Sequence, residues 1–136
     1  MIAFATNQTM PLVRKMWKTC FGDSDEYMDV YFREKYRNEN TLIYFDDHQA
    51  VASLQMLPYI FTFHQTEIPI AYFSGLCTLP EARKKGFMAA LIRQAFEVLQ
   101  QRQIPLAVLV PQEDWLLRFY DKFGFAQTFD AGTKEI

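Results

Sequence analysis

Between Thr41 and Leu79 the chain abandons helical spacing and reads as a succession of extended runs. On either side, apolar residues return every three to four positions. A single short chain that changes period in this way must pack helices on a sheet. An all-helical bundle and an all-β sandwich are both excluded. Within the extended region Thr41–Phe45 reads as a strand and Asp46-Asp47-His48 as a turn. Val51–Phe63 is a long strand-like run in which Pro58 calls for a sheet edge or a bulge. His64-Gln65-Thr66-Glu67 reads as a second turn and Ile68–Leu79 as a third strand, so the region predicts a three-strand antiparallel meander.

The flanks complete the order. Residues 2–6 form a short apolar strand. Pro11 suits a first helical turn, after which Leu12, Val13, Met16, Trp17, Cys20 and Phe21 recur at helical spacing until Gly22. Asp23-Ser24 with Glu26 reads as an N-cap. The helix it starts would carry Tyr27, Met28, Tyr31, Phe32 and Tyr36 on one face. Beyond the meander, Lys85–Gln101 reads as a helix facing inward through Met88, Leu91, Ile92, Ala95, Val98 and Leu99. Ile104–Val110 reads as a buried central strand, Glu113–Phe123 as a helix and Phe125–Phe129 as a last strand. The expectation is one mixed α/β domain over residues 1–136, in the order β-α-α-β-β-β-α-β-α-β.

Composition removes several functional classes. With 13 Phe, 7 Tyr and 2 Trp in 136 residues, the chain carries far more aromatic mass than a disordered one. A net charge of −2 without a basic stripe argues against nucleic acid and membrane surfaces. No apolar run approaches the ~20 residues of a membrane span, and Met1–Asn7 lacks the basic start of a signal peptide. Cys20 and Cys77 make no disulfide framework, and with His48 and His64 they offer no zinc spacing. The expectation is a soluble, cytoplasmic, metal-free domain.

Chemistry concentrates in Leu79-Pro80-Glu81-Ala82-Arg83-Lys84-Lys85-Gly86-Phe87-Met88, the junction between a strand and a helix. Cations at a helix N-terminus oppose the dipole by a few tenths of a kcal/mol each. A bound polyphosphate reverses that sign, because free N–H groups, dipole and side chains would then all face it. A solvated basic turn is the plainer alternative.

Arg83-Lys84-Lys85-Gly86-Phe87-Met88 resembles the pyrophosphate loop of the GCN5-related N-acetyltransferases (GNAT), written Arg/Gln-x-x-Gly-x-Gly/Ala. Phe119-Tyr120-Asp121-Lys122-Phe123-Gly124-Phe125 resembles that family's Tyr-Glu-Lys-x-Gly-Phe signature, in the right order and at the right distance. Gln55–Tyr59, Ser74–Pro80 and Leu109–Pro111 look most like the enhanced-intracellular-survival branch and its bacterial relatives. The resemblance implies a sheet whose neighbouring parallel strands splay apart to hold acetyl-CoA. Backbone of Leu76, Cys77 and Thr78 would bond the pantetheine arm. Amides of Lys84, Lys85, Gly86, Phe87 and Met88 would hold the pyrophosphate, with Arg83 and Lys84 as the phosphate cations. Tyr120 would be the general acid that protonates the leaving thiolate, a role typically worth about 10²–10⁴-fold.

The implied activity is transfer of an acetyl group to a primary amine of a small molecule or peptide. The alternative is an acyl-CoA-binding module without turnover. Two features favour the alternative: Ala71-Tyr72-Phe73-Ser74-Gly75 carries no carboxylate to act as base, and the C-terminus is short. Met88 stands where the loop commonly has a small residue, which loosens or shifts the approach to the pyrophosphate. Cys77 beside the acetyl position suits a nucleophile or, more simply, a small packed side chain. Eleven residues follow Phe125, fewer than two further strands need. The chain then reads as the N-terminal part of a longer protein, or as a subunit that pairs its open edge with a second copy in a homodimer.

Overall fold

Two tight reversals build the meander. Asp47 and His48 hold φ of 52° and 66°, and His64 and Gln65 hold 51° and 65°. Two consecutive positive φ values make a two-residue turn whose twist matches its flanking strands. In the computed structural model, which describes residues 1–109, the strands so joined are β2 (Thr41–Asp46), β3 (Gln49–Phe63) and β4 (Thr66–Thr78). The short β1 (Ile2–Phe4) pairs antiparallel with β2, and β5 (Leu106–Val108) pairs parallel with β4. Helices α1 (Met10–Phe21) and α2 (Asp25–Glu34) precede the meander, and α3 (Phe87–Gln101) links β4 to β5. The spatial order among the described residues is β1-β2-β3-β4-β5.

The mixed α/β class and the antiparallel meander agree with the sequence reading. Gly22 ends α1 at φ 67°, and Ser24 Oγ accepts from the Tyr27 amide at 3.2 Å to start α2. Asp23 does not cap; its carboxylate accepts from Trp17 Nε1 at 2.7 Å. The third helix starts at Phe87 rather than Lys85, because Lys84 and Gly86 hold φ of 65° and 85°, outside the helical range. The expectation of a buried central strand over Ile104–Val110 is corrected in its bounds and its full burial. The strand is Leu106–Val108 and Leu106 is 45% exposed; its central position turns on residues outside the described ones. The readings of Glu113–Phe123 and Phe125–Phe129 lie outside the described residues.

The sheet divides the core in two. On one face α3 sets Leu91, Ile92, Ala95, Val98 and Leu99 against Leu42, Ala52, Leu54, Met56, Ala71 and Phe73. On the other, Val13, Met16 and Trp17 of α1 and Met28 and Tyr31 of α2 cover Ile43, Leu57 and Cys77. Pro58 pairs with Ala71, and β2 faces β3 only as far as Gln55, so the proline sits where β3 has an open side. Beyond that point β3 and β4 continue as a two-stranded arm.

Candidate functional site

A bulge in β4 organises the site. Ser53 faces Cys77 and Gln55 faces Ser74, so Gly75 and Leu76 stand opposite Leu54 alone. Gly75 has φ 61°, and a Cβ there would lie 2.7 Å from the Trp17 ring and 2.9 Å from Gln55 Nε2. Glycine is demanded twice over, by the backbone angle and by the close approach. Just before this bulge the ladder to β5 stops: Ile70, Ala71 and Tyr72 pair with Leu106, Ala107 and Val108. From Phe73 to Thr78 β4 has no ladder partner on that side among the described residues.

Leu76 is half-buried and packs on the α3 side, and Thr78 is half-buried at the end of β4. Past Thr78 the chain makes a 3-10 turn at Pro80–Ala82 and enters the basic segment. Arg83 turns back, donating from Nε to the Thr78 carbonyl at 3.1 Å. Lys84 and Lys85 are exposed. Gly86 has nothing within 4 Å of where a Cβ would stand, so the space above the loop is open. Phe87 stacks on Tyr44 with centroids 4.6 Å apart, and Met88 packs against the α3 core, so both side chains face inward. The first-turn amides of α3 have no intrahelical acceptor, and Lys84 and Lys85 beside them are exposed. This part of the geometry can hold an anion. Tyr120 lies outside the described residues.

Cys77 departs from expectation. Its sulfur is bonded to that of Cys20 at 2.12 Å, which ties the last turn of α1 to the bulged end of β4. The reading of Cys77 as a small packed thiol or a nucleophile is therefore corrected. The separation of 57 residues between the two cysteines concealed that α1 lies against β4. A sulfur held in that bond and 2% exposed is no nucleophile.

The α1/α2 face carries a polar group that sequence reasoning missed. Tyr31 Oη donates to Gln55 Oε1 at 2.6 Å and contacts Ser74 Oγ at 2.9 Å. Gln55 is 1% exposed, and its Nε2 has no hydrogen-bond partner. Burial pushes the Tyr31 phenol up to about 12, opposed by the Ser74 hydrogen bond and reinforced by Tyr27, Tyr59 and Tyr72. Burial raises Tyr72 as well, with Tyr59 and Tyr27 adding to it. Among the described residues no group of His, Cys, Asp and Glu could hold a metal, and no helix is long and apolar enough to cross a membrane. His48 and His64 are exposed turn residues.

Comparison with known proteins adds a family. Residues 2–128 match the model of the acetyltransferase (GNAT) domain. An aminoglycoside N(6')-acetyltransferase type 1 of Acinetobacter haemolyticus is 31% identical over 87 residues, 63% of this chain and 59% of that protein. Among solved structures, a GCN5-related N-acetyltransferase of Anabaena variabilis superposes with a TM-score of 0.78 at 22% identity, over 88% of this chain and 30% of its own. A predicted acetyltransferase of Clostridium acetobutylicum, solved with acetyl-CoA, gives 0.75 at 18% identity over 100% and 96%. The chain thus spans 59% of the first and 30% of the second.

Proposed function

Since the chain belongs to the GNAT acetyltransferase family, we propose that it transfers the acetyl group of acetyl-CoA directly to a primary amine of a small molecule or peptide. One observation carries this reading. The end of β4 from Phe73 to Thr78 lies without a ladder partner among the described residues, and it leads straight into an open basic loop at a helix N-terminus. Leu76, Cys77 and Thr78 offer their backbone as a strand would, which suits an extended pantetheine arm. Lys84, Lys85 and the amides to Met88 suit the pyrophosphate. Arg83, folded onto Thr78 through Nε, steadies the loop and keeps its Nη groups for a phosphate. Acetyl-CoA supplies the acyl group as a thioester. Tyr120 supplies the proton for the departing sulfur, a role taken from the signature it stands in. Tyr120→Phe is expected to lower turnover by about 10²–10⁴-fold, and full turnover in that variant removes it from the mechanism.

The decisive test is a thermal melt with acetyl-CoA, with ATP as the control. Saturation at 100 times Kd adds about 2.7 kcal/mol, a rise of roughly 10 °C for a domain of this size. No rise defeats the cofactor reading. Thiol release with an amine panel then separates an enzyme from an acyl-CoA-binding module, which the lack of a carboxylate on Ala71–Gly75 favours as the second reading. The enhanced-intracellular-survival branch rests on the motifs at Gln55–Tyr59 and Ser74–Pro80, and its longer members fit the reading of an N-terminal portion. We place the reaction in the cytoplasm, where disulfides are uncommon, so the reduced chain is to be measured beside the bonded one. Phe63, 56% exposed at the tip of the arm, gives a second copy a surface to meet; a sedimentation coefficient that stays at the monomer's value up to high concentration would refute a homodimer.

A further inference from the structure

The acetyltransferase reading leaves the amine unspecified, and the assignment of an acceptor rests on that reading. On the α1/α2 face the order of hydrogen bonds has a direction. A carboxamide oxygen can only accept. The 2.6 Å separation of Tyr31 Oη from Gln55 Oε1 suits O–H···O and is short for N–H···O, which fixes the carboxamide's orientation. Tyr31 has one proton, and burial keeps it on the phenol. That proton is spent on Gln55, so Ser74 must be the donor in the 2.9 Å contact with Tyr31. The Ser74 hydroxyl is thereby left with lone pairs only. It is half-buried, stands next to the Gly75 bulge, and lies just beyond the last β4 residue paired with β5.

A shallow, solvent-open groove lies next along the arm, lined by Tyr59, Ile60, Phe61, Thr62, Ile70 and Tyr72. Tyr59 and Tyr72 meet edge to face with centroids 6.3 Å apart. Tyr27 stacks on Tyr31 at 6.4 Å. None of the six lining residues is acidic, and the Lys35 ammonium sits 5.5 Å from the centre of the Tyr59 ring. The wall therefore accepts apolar surface; Lys35 already holds the Tyr59 face, and its repulsion grows with each further positive charge a ligand carries.

We propose that this groove is the acceptor subsite, that it takes a monoamine with an aryl or alkyl body, and that Ser74 Oγ receives one N–H of that amine and orients its nitrogen at the bulge. The tyrosine-lined groove holds the body. Ser74 is a positioning residue whose polarity is set by Gln55 through Tyr31. Polycationic amines fit this groove poorly.

The test uses the full chain with acetyl-CoA present and two probes, phenethylamine and its N,N,N-trimethyl analogue, with affinities read by saturation-transfer NMR. Both are expected to bind the wild type, and spermidine to bind more weakly than either. Ser74→Ala is expected to weaken phenethylamine roughly fivefold and to leave the trimethyl probe, which has no N–H, unchanged. Tyr72→Ala is expected to weaken both. Equal affinity of phenethylamine for wild type and Ser74→Ala overturns the role of Ser74. Failure of both probes to bind, in a protein that acetyl-CoA still stabilises, overturns the groove while leaving the acetyltransferase reading intact. Loss of the acetyl-CoA shift instead strikes that reading itself. Where thiol release is seen, the Ser74→Ala effect should fall on KM for phenethylamine and not on KM for acetyl-CoA.

Discussion

The two faces of one sheet are built on different principles. Among the described residues the face under α3 is packed with hydrophobic side chains, with Leu54, Leu91, Ile92 and Ala95 at 0% exposure. The face under α1 and α2 is as well buried but carries the Gln55–Tyr31–Ser74 chain, the Trp17–Asp23 bond and the Cys20–Cys77 disulfide. A purely apolar face gains burial energy at every position and asks nothing of direction. A face with buried polar groups gives up part of that gain and imposes geometry on each member. The contrast teaches that α3 secures the sheet, while α1 and α2 shape what the sheet presents at the bulge.

Four measurements break or sharpen that contrast. Leu91→Ala on the α3 face should cost about 4 kcal/mol in chemical denaturation. Its effect on the cofactor should be confined to stability, so the rise in melting temperature with acetyl-CoA should persist. Gly75→Ala should cost about 3 kcal/mol, from a Cβ pressed on Trp17 in a left-handed backbone. Here the acetyl-CoA shift should shrink as well, since the bulge moves; a full shift would show that the bulge does not form the cleft.

Reduction of Cys20–Cys77, or Cys20→Ser, should lower stability by about 2–4 kcal/mol through the unfolded chain's regained freedom. A melt that dithiothreitol leaves unchanged would refute the bond's contribution. The smallest effect belongs to Tyr31→Phe, about 1–2 kcal/mol from the acceptor left unpaired on Gln55. It carries a pH signature. The folded phenol titrates near 12 and the unfolded one near 10.0, so the unfolded chain loses its proton first. Stability from this group is complete below about 10 and drains away as pH rises towards 12. Tyr31→Phe should flatten the alkaline limb of the stability profile, and an unchanged limb would show that Tyr31 is not its source.

Much of the fold was legible because its signals are local. The change of period at Thr41, the stop at Gly22 and the inward stripe of α3 each depend on residues within a few positions of one another. The anion loop was legible for the same reason, since Arg83 to Met88 are contiguous. What could not be seen lies in contacts between distant segments. Gln55 and Tyr31 are 24 residues apart and Tyr31 and Ser74 are 43 apart. Each alone reads as an ordinary strand or helix residue. The overlooked signal was the pair of polar residues, Gln55 and Ser74, on inward-facing strand positions, where an apolar side chain is the usual occupant.

The sequence by itself determined the helices, the meander, the family and the basic loop, because propensity, turn chemistry and short motifs act over a few residues. Only the tertiary structure decided that the two cysteines meet and that Tyr31 Oη donates to Gln55 Oε1 while touching Ser74. Those outcomes depend on packing two helices against one face of a twisted sheet. The directions they set exist only once Gln55 and Tyr31 have been taken out of water together.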